Sequence, residues 1–170
     1  TETRRRHPSA VLHVDATQAA GRMRLALGDV DSVVLSSHKL GGPGGVGALI
    51  LQGGDPFPSL LGGGSQERGR RAGTVFTAGV VGFGEACRLA ALELDDRRMR
   101  WSAMSDTLRG AIGALGGEVI GERLLDNTTC AIFPGIPGEM LVQAMDLRGV
   151  AVSAGAACSS GSLQASPVLT

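Results

Sequence analysis

Three short, mainly apolar runs constrain the fold of this chain more than any other feature. They lie at residues 11–14, 31–37 and 46–51, and turns or helical patches separate them. Short apolar runs are typical of strands that are buried on both faces, as in the parallel sheets of α/β proteins. We therefore predict an α/β fold whose first half contains a mostly parallel sheet.

A long helical pattern begins near residue 77. Its apolar positions recur at helical spacing and predict one buried stripe, formed by Val80, Gly84, Cys87, Ala91 and Leu94. The pattern continues, with or without a break, through residues 98–115. Gly116 and Gly117 are expected to end it, because glycine is the common residue just after a helix.

The rest of the chain predicts a second, smaller α/β lobe. Strands are expected at residues 118–120, 129–133 and 150–153, with a helix at residues 139–147 before the last of them. A loop rich in Gly, Ala and Ser follows at residues 154–163. The glycines and the proline that precede the helix are typical turn residues.

Composition excludes several classes of protein. The 170 residues include 16 basic and 16 acidic side chains, and this neutral balance argues against an extended nucleic-acid footprint. No apolar run approaches the roughly 20 residues of a membrane helix, so we expect no membrane partner.

The three cysteines form no CxxC pair and favour a reducing compartment, with the cytoplasm as the expected location. The missing initiator Met and the abrupt end predict a segment of a longer protein.

The sequence "SSHKLGGPGGVG", residues 36–47, contains the single lysine of the chain. An arginine cannot lose its proton in a protein, whereas a lysine can, and it then presents a nucleophilic amine. Lys39 is therefore a candidate nucleophile, with an ordinary surface lysine as the simpler alternative. A phosphate-binding P-loop is excluded because its lysine follows the glycines, whereas Lys39 precedes them.

Polar residues stand where two of the predicted strands end. Asp15 and Gln18 follow the first strand, and Ser36 and His38 lie beside Lys39 after the second. Neighbouring strand ends are where open α/β sheets bind ligands. An acid and an amine placed in this way suit pyridoxal 5'-phosphate (PLP), which needs a lysine for the imine and a carboxylate at its pyridine nitrogen.

Each of these residues also has a simpler interpretation. Asp15 could cap a turn, and His38 could be an ordinary histidine at a strand end. A metal site built from the two would lack further ligands at useful spacing, and no metal is predicted. The combination with Lys39, with Ser36 and His38 as candidate phosphate ligands, favours the cofactor interpretation.

A second candidate nucleophile is Cys158 in the sequence "SAGAACSSGS", residues 153–162. Its neighbours have almost no side chain, so we expect an accessible thiol able to act as a thiolate; a small residue in a tight turn is the alternative. Cys87 and Cys130 lie within apolar patterns and are predicted to be core residues.

The glycine-rich segment "GGGSQERGRRAGT", residues 62–74, contains three arginines and ends at Thr74. Backbone amides and arginines together are typical of anion recognition. A solvated basic loop is the alternative interpretation.

Five segments together resemble the cysteine desulfurases, PLP enzymes of the class V aminotransferase superfamily. In chain order they are "HVDATQAAG", "SSHKLGGPGGVGAL", "GGGSQERGRRAGT", "GVVGFGEA" and "VAVSAGAACSSGSLQASPVL". The resemblance covers residue 13 to the end, and it is closest to the branch that serves iron–sulfur cluster assembly. It implies part of a fold-type I PLP-transferase. Residues 1–97 would be the C-terminal part of the large PLP-binding domain, and residues 98–170 would make up most of the small C-terminal α/β domain.

The resemblance also implies roles for the residues around the lysine. Lys39 is similar to the lysine that binds the cofactor as a Schiff base and acts in catalysis, and Asp15 to the partner of the pyridine nitrogen. Gln18 resembles the residue that binds the phenolic oxygen of the ring. Ser36 and His38 resemble phosphate ligands.

Two further roles are implied outside that cluster. Thr74 resembles the residue that, in a homodimer, reaches the phosphate bound in the other subunit. Cys158 resembles the loop cysteine that takes sulfur from L-cysteine as a persulfide, leaving L-alanine, and passes it to a sulfur-acceptor or scaffold protein. Two alternatives remain open: another class V PLP aminotransferase or lyase, and a truncated module without catalytic activity.

Overall fold

The computed structural model describes residues 1–53, 58–59, 61–122 and 125–155. They form two compact units, one of residues 1–102 with 125–127 and the other from residue 103 onward apart from that short segment. The division falls inside a helix, at residue 102. The predicted boundary after residue 97 separates the large and small domains of the complete PLP-transferase fold, and it stays a prediction.

The first unit contains a three-stranded sheet. Helix α1 (Glu2–Arg6) precedes strand β1 (His13–Asp15), which is followed by β2 (Ser32–Ser36) and β3 (Gly47–Leu51), in the spatial order β1-β2-β3. All three predicted strands are therefore present.

The pairing of these strands is mixed. Strands β1 and β2 are parallel, with Asp15 opposite Val34, whereas β2 and β3 are antiparallel, with Ser36 opposite Gly47. The segment between β2 and β3 is short, and a parallel crossover needs about a dozen residues or more, usually a helix. All three residues of β1 are exposed, and Leu49 in β3 is 44% exposed, so the predicted burial of both faces does not hold for β1 or β3.

Two long helices follow, α2 (Thr77–Leu92) and α3 (Leu94–Ala114). The buried face of this region is formed by Gly79, Phe83, Ala86, Ala90 and Leu94. Except at Leu94, each buried residue precedes the predicted one by a single position, so the predicted stripe was wrong over most of its length. Val80, for example, was predicted to be buried and is 47% exposed. Residues on both adjacent faces are small or apolar, so periodicity alone could not decide which face packs inward.

Small residues on the buried face allow close packing. A Cβ at Gly79 would lie 2.5 Å from Val46 Cγ2, and the Cβ of Ala86 lies 3.0 Å from the position of a Cβ at Gly42. Helix α2 therefore packs directly on the segment that joins β2 to β3.

The second unit begins within α3, which ends as predicted at two glycines. Gly116 adopts φ 79°, and the N–H of Gly117 donates to the carbonyl of Ile112 at 2.9 Å. The N–H of Gly116 donates to the carbonyl of Gly113, which completes the Schellman arrangement. Strands β4 (Glu118–Ile120) and β5 (Cys130–Ile132) then form an antiparallel pair, and α4 (Gly138–Asp146) follows.

The strand predicted at residues 150–153 is not formed among the described residues. The N–H of Val150 donates to the carbonyl of Met145 at 3.0 Å, and Gly149 adopts φ 75°. The start of this run therefore closes the end of α4 and is not available to a sheet. Among the described residues, no helix has the length and apolar character to span a membrane.

Candidate active site

The parallel pairing of β1 and β2 gathers the predicted site residues at one edge of the sheet, which we call the lysine edge. Asp15 ends β1, and Ser36 ends β2. A short 3-10 turn, Ser37–Leu40, follows β2 and carries His38 and Lys39. The carboxyl ends of parallel strands lie on the same side, and open α/β sheets generally bind ligands just beyond those ends.

Backbone hydrogen bonds of the buried Ser37 hold the turn that carries Lys39. The N–H of Ser37 donates to the carbonyl of Val46 at 3.0 Å, and its carbonyl accepts the N–H of Gly42 at 3.0 Å. The side chain of Ser37 is fully buried, and Gly41 turns the chain at φ 86°. Lys39 itself is exposed, so this hydrogen-bonded turn presents an accessible amine.

The turn that follows β1 supplies hydrogen bonds to the Asp15 carboxylate. The N–H of Thr17 donates to Asp15 Oδ1 at 2.9 Å. The hydroxyl of Thr17, followed by this N–H, holds the pKa of the Asp15 carboxyl below its ordinary value. An exposed carboxylate that resists protonation suits the partner of a protonated pyridine nitrogen.

Ser36 and His38 form a hydrogen-bonded pair, with Ser36 Oγ 2.8 Å from His38 Nδ1. If Ser36 donates, the Nε2–H of His38 stays available as a donor. If Nδ1 donates, the Ser36 hydroxyl stays available. Every protonation state of the pair therefore leaves at least one donor for an anion such as a phosphate.

Gln18 is held by an arginine one helical turn later. Arg22 Nη1 donates to Gln18 Oε1 at 2.9 Å and to the carbonyl oxygen of Gln18 at 2.5 Å. The Gln18 amide is thus held through its oxygen in the turn that follows β1.

Thr74 lies outside this cluster, in the exposed segment before α2. Within the part of the chain that the structure describes, no hydrogen bond joins it to the lysine edge. The preceding 3-10 turn, Gln66–Gly69, holds Glu67 at φ 51° and Arg68 at φ 57°. The Gln66 side chain accepts the N–H of Gly73 at 3.2 Å, which closes the loop.

Cys158, the second predicted catalytic residue, lies outside the described residues. The other two cysteines have free thiols. Cys87 is half-buried, and burial raises the pKa of its thiol. Cys130 is exposed, so its prediction as a core residue was wrong: its strand belongs to a two-stranded sheet with a face open to solvent.

Thr17 and Arg22 are the residues that the sequence analysis missed. Thr17 could have been found from the Asp-x-Thr spacing, which is typical of an aspartate that accepts a backbone N–H two residues later. Arg22 stands four residues after Gln18, the spacing at which side chains meet on one helical face.

Comparison with known proteins identifies the family. The profile described as Aminotransferase class-V matches residues 2–168. The chain belongs to the class V aminotransferase family. Class V aminotransferases and cysteine desulfurases are PLP-dependent enzymes.

Similar proteins are cysteine desulfurases. That of Bradyrhizobium diazoefficiens is 48% identical over 96% of this chain and 43% of its own length. That of Gluconacetobacter diazotrophicus is 42% identical over 94% of this chain and 42% of its own. The chain thus spans less than half the length of these curated relatives.

Solved structures agree on the fold. A NifS-like protein superposes with a TM-score of 0.82 at 33% identity, over 88% of this chain and 42% of its own. DndA from Streptomyces lividans superposes with a TM-score of 0.71 at 27% identity, over 91% of this chain and 46% of its own. The described fold is therefore part of a fold-type I PLP enzyme.

The lysine edge fits PLP by the chemistry of its donor set. Lys39 supplies an exposed amine, and Asp15 supplies an exposed carboxylate whose pKa is lowered by its hydrogen bonds to Thr17. The pair of Ser36 and His38 keeps a donor free for a phosphate. These are the three kinds of group that a phosphorylated pyridine aldehyde requires.

Proposed function

We propose that this chain forms the lysine edge of a cysteine desulfurase, which removes sulfur from L-cysteine and leaves L-alanine. The observation that carries the proposal is the convergence of an exposed Lys39, an ionised Asp15 and the Ser36–His38 pair at one sheet edge. The 48% identity to a cysteine desulfurase favours this reaction over other class V chemistry.

Bound PLP would supply an electron sink for the carbanion that forms when the substrate loses its α-proton. Lys39 would accept that proton at Nζ, which requires the neutral amine that arginine cannot provide. Asp15 would hold a proton on the pyridine nitrogen through its carboxylate. Ser36 and His38 would bind the phosphate.

The sulfur step is assigned to Cys158. Its thiolate would attack the sulfur of the substrate; a sulfur–sulfur bond forms, and the carbon–sulfur bond of the substrate breaks. L-cysteine and one thiol thereby give L-alanine and one persulfide, with no external oxidant or reductant. A persulfide can pass its outer sulfur to another thiol, which makes a sulfur-acceptor or scaffold protein, as in iron–sulfur cluster assembly, the proposed partner.

The proposal includes a homodimer and a cytoplasmic location. Thr74 is exposed, so its side chain is accessible to a neighbouring subunit. The free thiols of Cys87 and Cys130 support a reducing compartment.

The test uses the whole protein, loaded with PLP and mixed with L-cysteine and a reductant. We expect equal amounts of alanine and sulfide. Lys39→Ala should remove the long-wavelength absorbance of the bound cofactor and lower turnover by about 10³-fold or more. Retention of both would contradict the proposal.

The cysteine variants provide a matched comparison. Cys158→Ser should abolish sulfide release, whereas Cys130→Ser, which changes another thiol, should leave it unchanged. Full activity of Cys158→Ser would remove the persulfide role, and alanine formation without any sulfur product would favour a different class V reaction.

A further inference from the structure

The contact between Gln18 and Arg22 fixes more than the position of the glutamine. A guanidinium has five donors and no acceptor, so Arg22 Nη1 can face only the oxygen of the Gln18 amide. The 2.9 Å contact to Oε1 therefore sets the direction of the carboxamide, and its –NH2 group lies on the opposite side. Coordinates alone often do not distinguish the oxygen of an amide from its nitrogen. Here the atom that faces the guanidinium must be the oxygen, because a guanidinium can only donate.

The same guanidinium nitrogen also holds the backbone of Gln18. Arg22 Nη1 lies 2.5 Å from the carbonyl oxygen of Gln18, so one donor group joins the main chain and the side-chain amide. The amide is thereby tied to the turn that follows β1, next to Asp15 at the lysine edge. Gln18 is exposed, which leaves its –NH2 group accessible to a ligand.

We propose that Arg22 is a positioning residue that turns Gln18 into an obligatory hydrogen-bond donor at the lysine edge. The inference rests on the proposed function, in which Gln18 binds the phenolic oxygen of PLP. An anionic oxygen needs a donor. Without Arg22, the amide could rotate by half a turn and present its own oxygen, which would repel the ligand.

The first test measures the dissociation constant of PLP with the whole apo protein. Arg22→Met should weaken binding about fivefold, the effect of one lost hydrogen bond. In a Gln18→Ala background the same substitution should change binding by less than about twofold, because the group that Arg22 orients is gone. Equal effects in both backgrounds would overturn the proposal.

A matched control removes a neighbouring charge without touching Gln18. Arg24 Nη2 donates to Asp95 at 2.6 Å, and both side chains are largely exposed. Arg24→Met should therefore leave PLP binding unchanged, while Arg22→Lys, which keeps a donor, should restore most of the affinity. If Arg24→Met weakens binding as much as Arg22→Met, the effect is one of net charge and the proposal fails.

A second variant keeps the test decisive if Arg22→Met unfolds. Gln18→Glu retains an acceptor for Arg22 and should fold, but it offers no donor to the ligand. It should bind PLP at least about fivefold more weakly than the wild type. Binding as tight as in the wild type would show that no donor is needed there.

A spectroscopic readout separates positioning from general stability. A donor to the phenolic oxygen stabilises its deprotonated form, so Arg22→Met and Gln18→Ala should shift the pH midpoint of the Lys39-dependent absorbance in the same direction, upward. A midpoint that moves only in Gln18→Ala would overturn the proposal. A wild-type protein without this absorbance would instead contradict the proposed function, so the two failures are distinguishable.

Discussion

Two glycine-rich segments of this chain use glycine for different physical reasons. In the segment after Lys39, residues 41–47, a Cβ at Gly42 would lie 2.4 Å from Ser37 Oγ, and one at Gly47 would lie 2.7 Å from the carbonyl oxygen of Leu35. In the loop at residues 62–74, Gly62 and Gly69 have no atom within 4 Å of such a Cβ. Gly42 and Gly47 therefore make room for packed neighbours, whereas Gly69 has open space around it and adopts φ 77°, a backbone conformation that a side chain would strain.

The loop instead carries strain in its backbone. Glu67 and Arg68 both adopt left-handed conformations, which cost a non-glycine residue roughly 1–2 kcal/mol. A packed turn holds Lys39, whereas a strained and exposed loop leads to Thr74. The difference predicts opposite responses to substitutions that add or remove a side chain.

The largest expected effect is at Gly42. Gly42→Ala should destabilise the protein by about 1–3 kcal/mol, because its Cβ would overlap Ser37 Oγ and press on Ala86. Urea unfolding of the whole protein measures this. Gly44→Ala is the control, since nothing lies within 4 Å of a Cβ there. Equal stability of the two variants would show that the turn has room to adjust.

The next effect should have the opposite sign. Arg68→Gly removes the cost of a left-handed arginine at φ 57°, and it should stabilise the protein by about 0.5–1 kcal/mol after the greater freedom of glycine in the unfolded chain is counted. Arg70 has an ordinary right-handed conformation, so Arg70→Gly should destabilise it slightly. If thermal unfolding showed that Arg68→Gly also lowers stability, the claim that the loop carries backbone strain at Arg68 would be wrong.

The smallest effect concerns Asp15, which, like the lysine turn, is held by local hydrogen bonds. Thr17→Val removes the hydroxyl that contributes most to lowering the pKa of the Asp15 carboxyl, so that pKa should rise, while Thr17→Ser should preserve it. A carboxyl NMR titration measures both. A lowered pKa stabilises the folded protein above the unfolded pKa, and this contribution is lost as pH falls through the folded pKa. Identical Asp15 titrations in the two variants would contradict the assigned cause.

The sequence was sufficient for the elements whose signals are local. The strands ending at Asp15 and Ser36 follow from short apolar runs, and the end of α3 follows from Gly116 and Gly117. The candidate site could also be predicted, because an acid and the single lysine follow two strands that a parallel sheet would join. Comparison with relatives then established the family for residues 2–168.

Features that depend on packing between distant segments were decided only in the tertiary structure. The buried face of α2 is set by Gly79 and Ala86 against the turn after β2, and a helix apolar on several faces does not reveal this choice. The run starting at Val150 has the composition of a strand, yet its first N–H completes the end of α4. The direction of the Gln18 amide is likewise set by a guanidinium four residues away, because only the folded turn brings that donor to its oxygen.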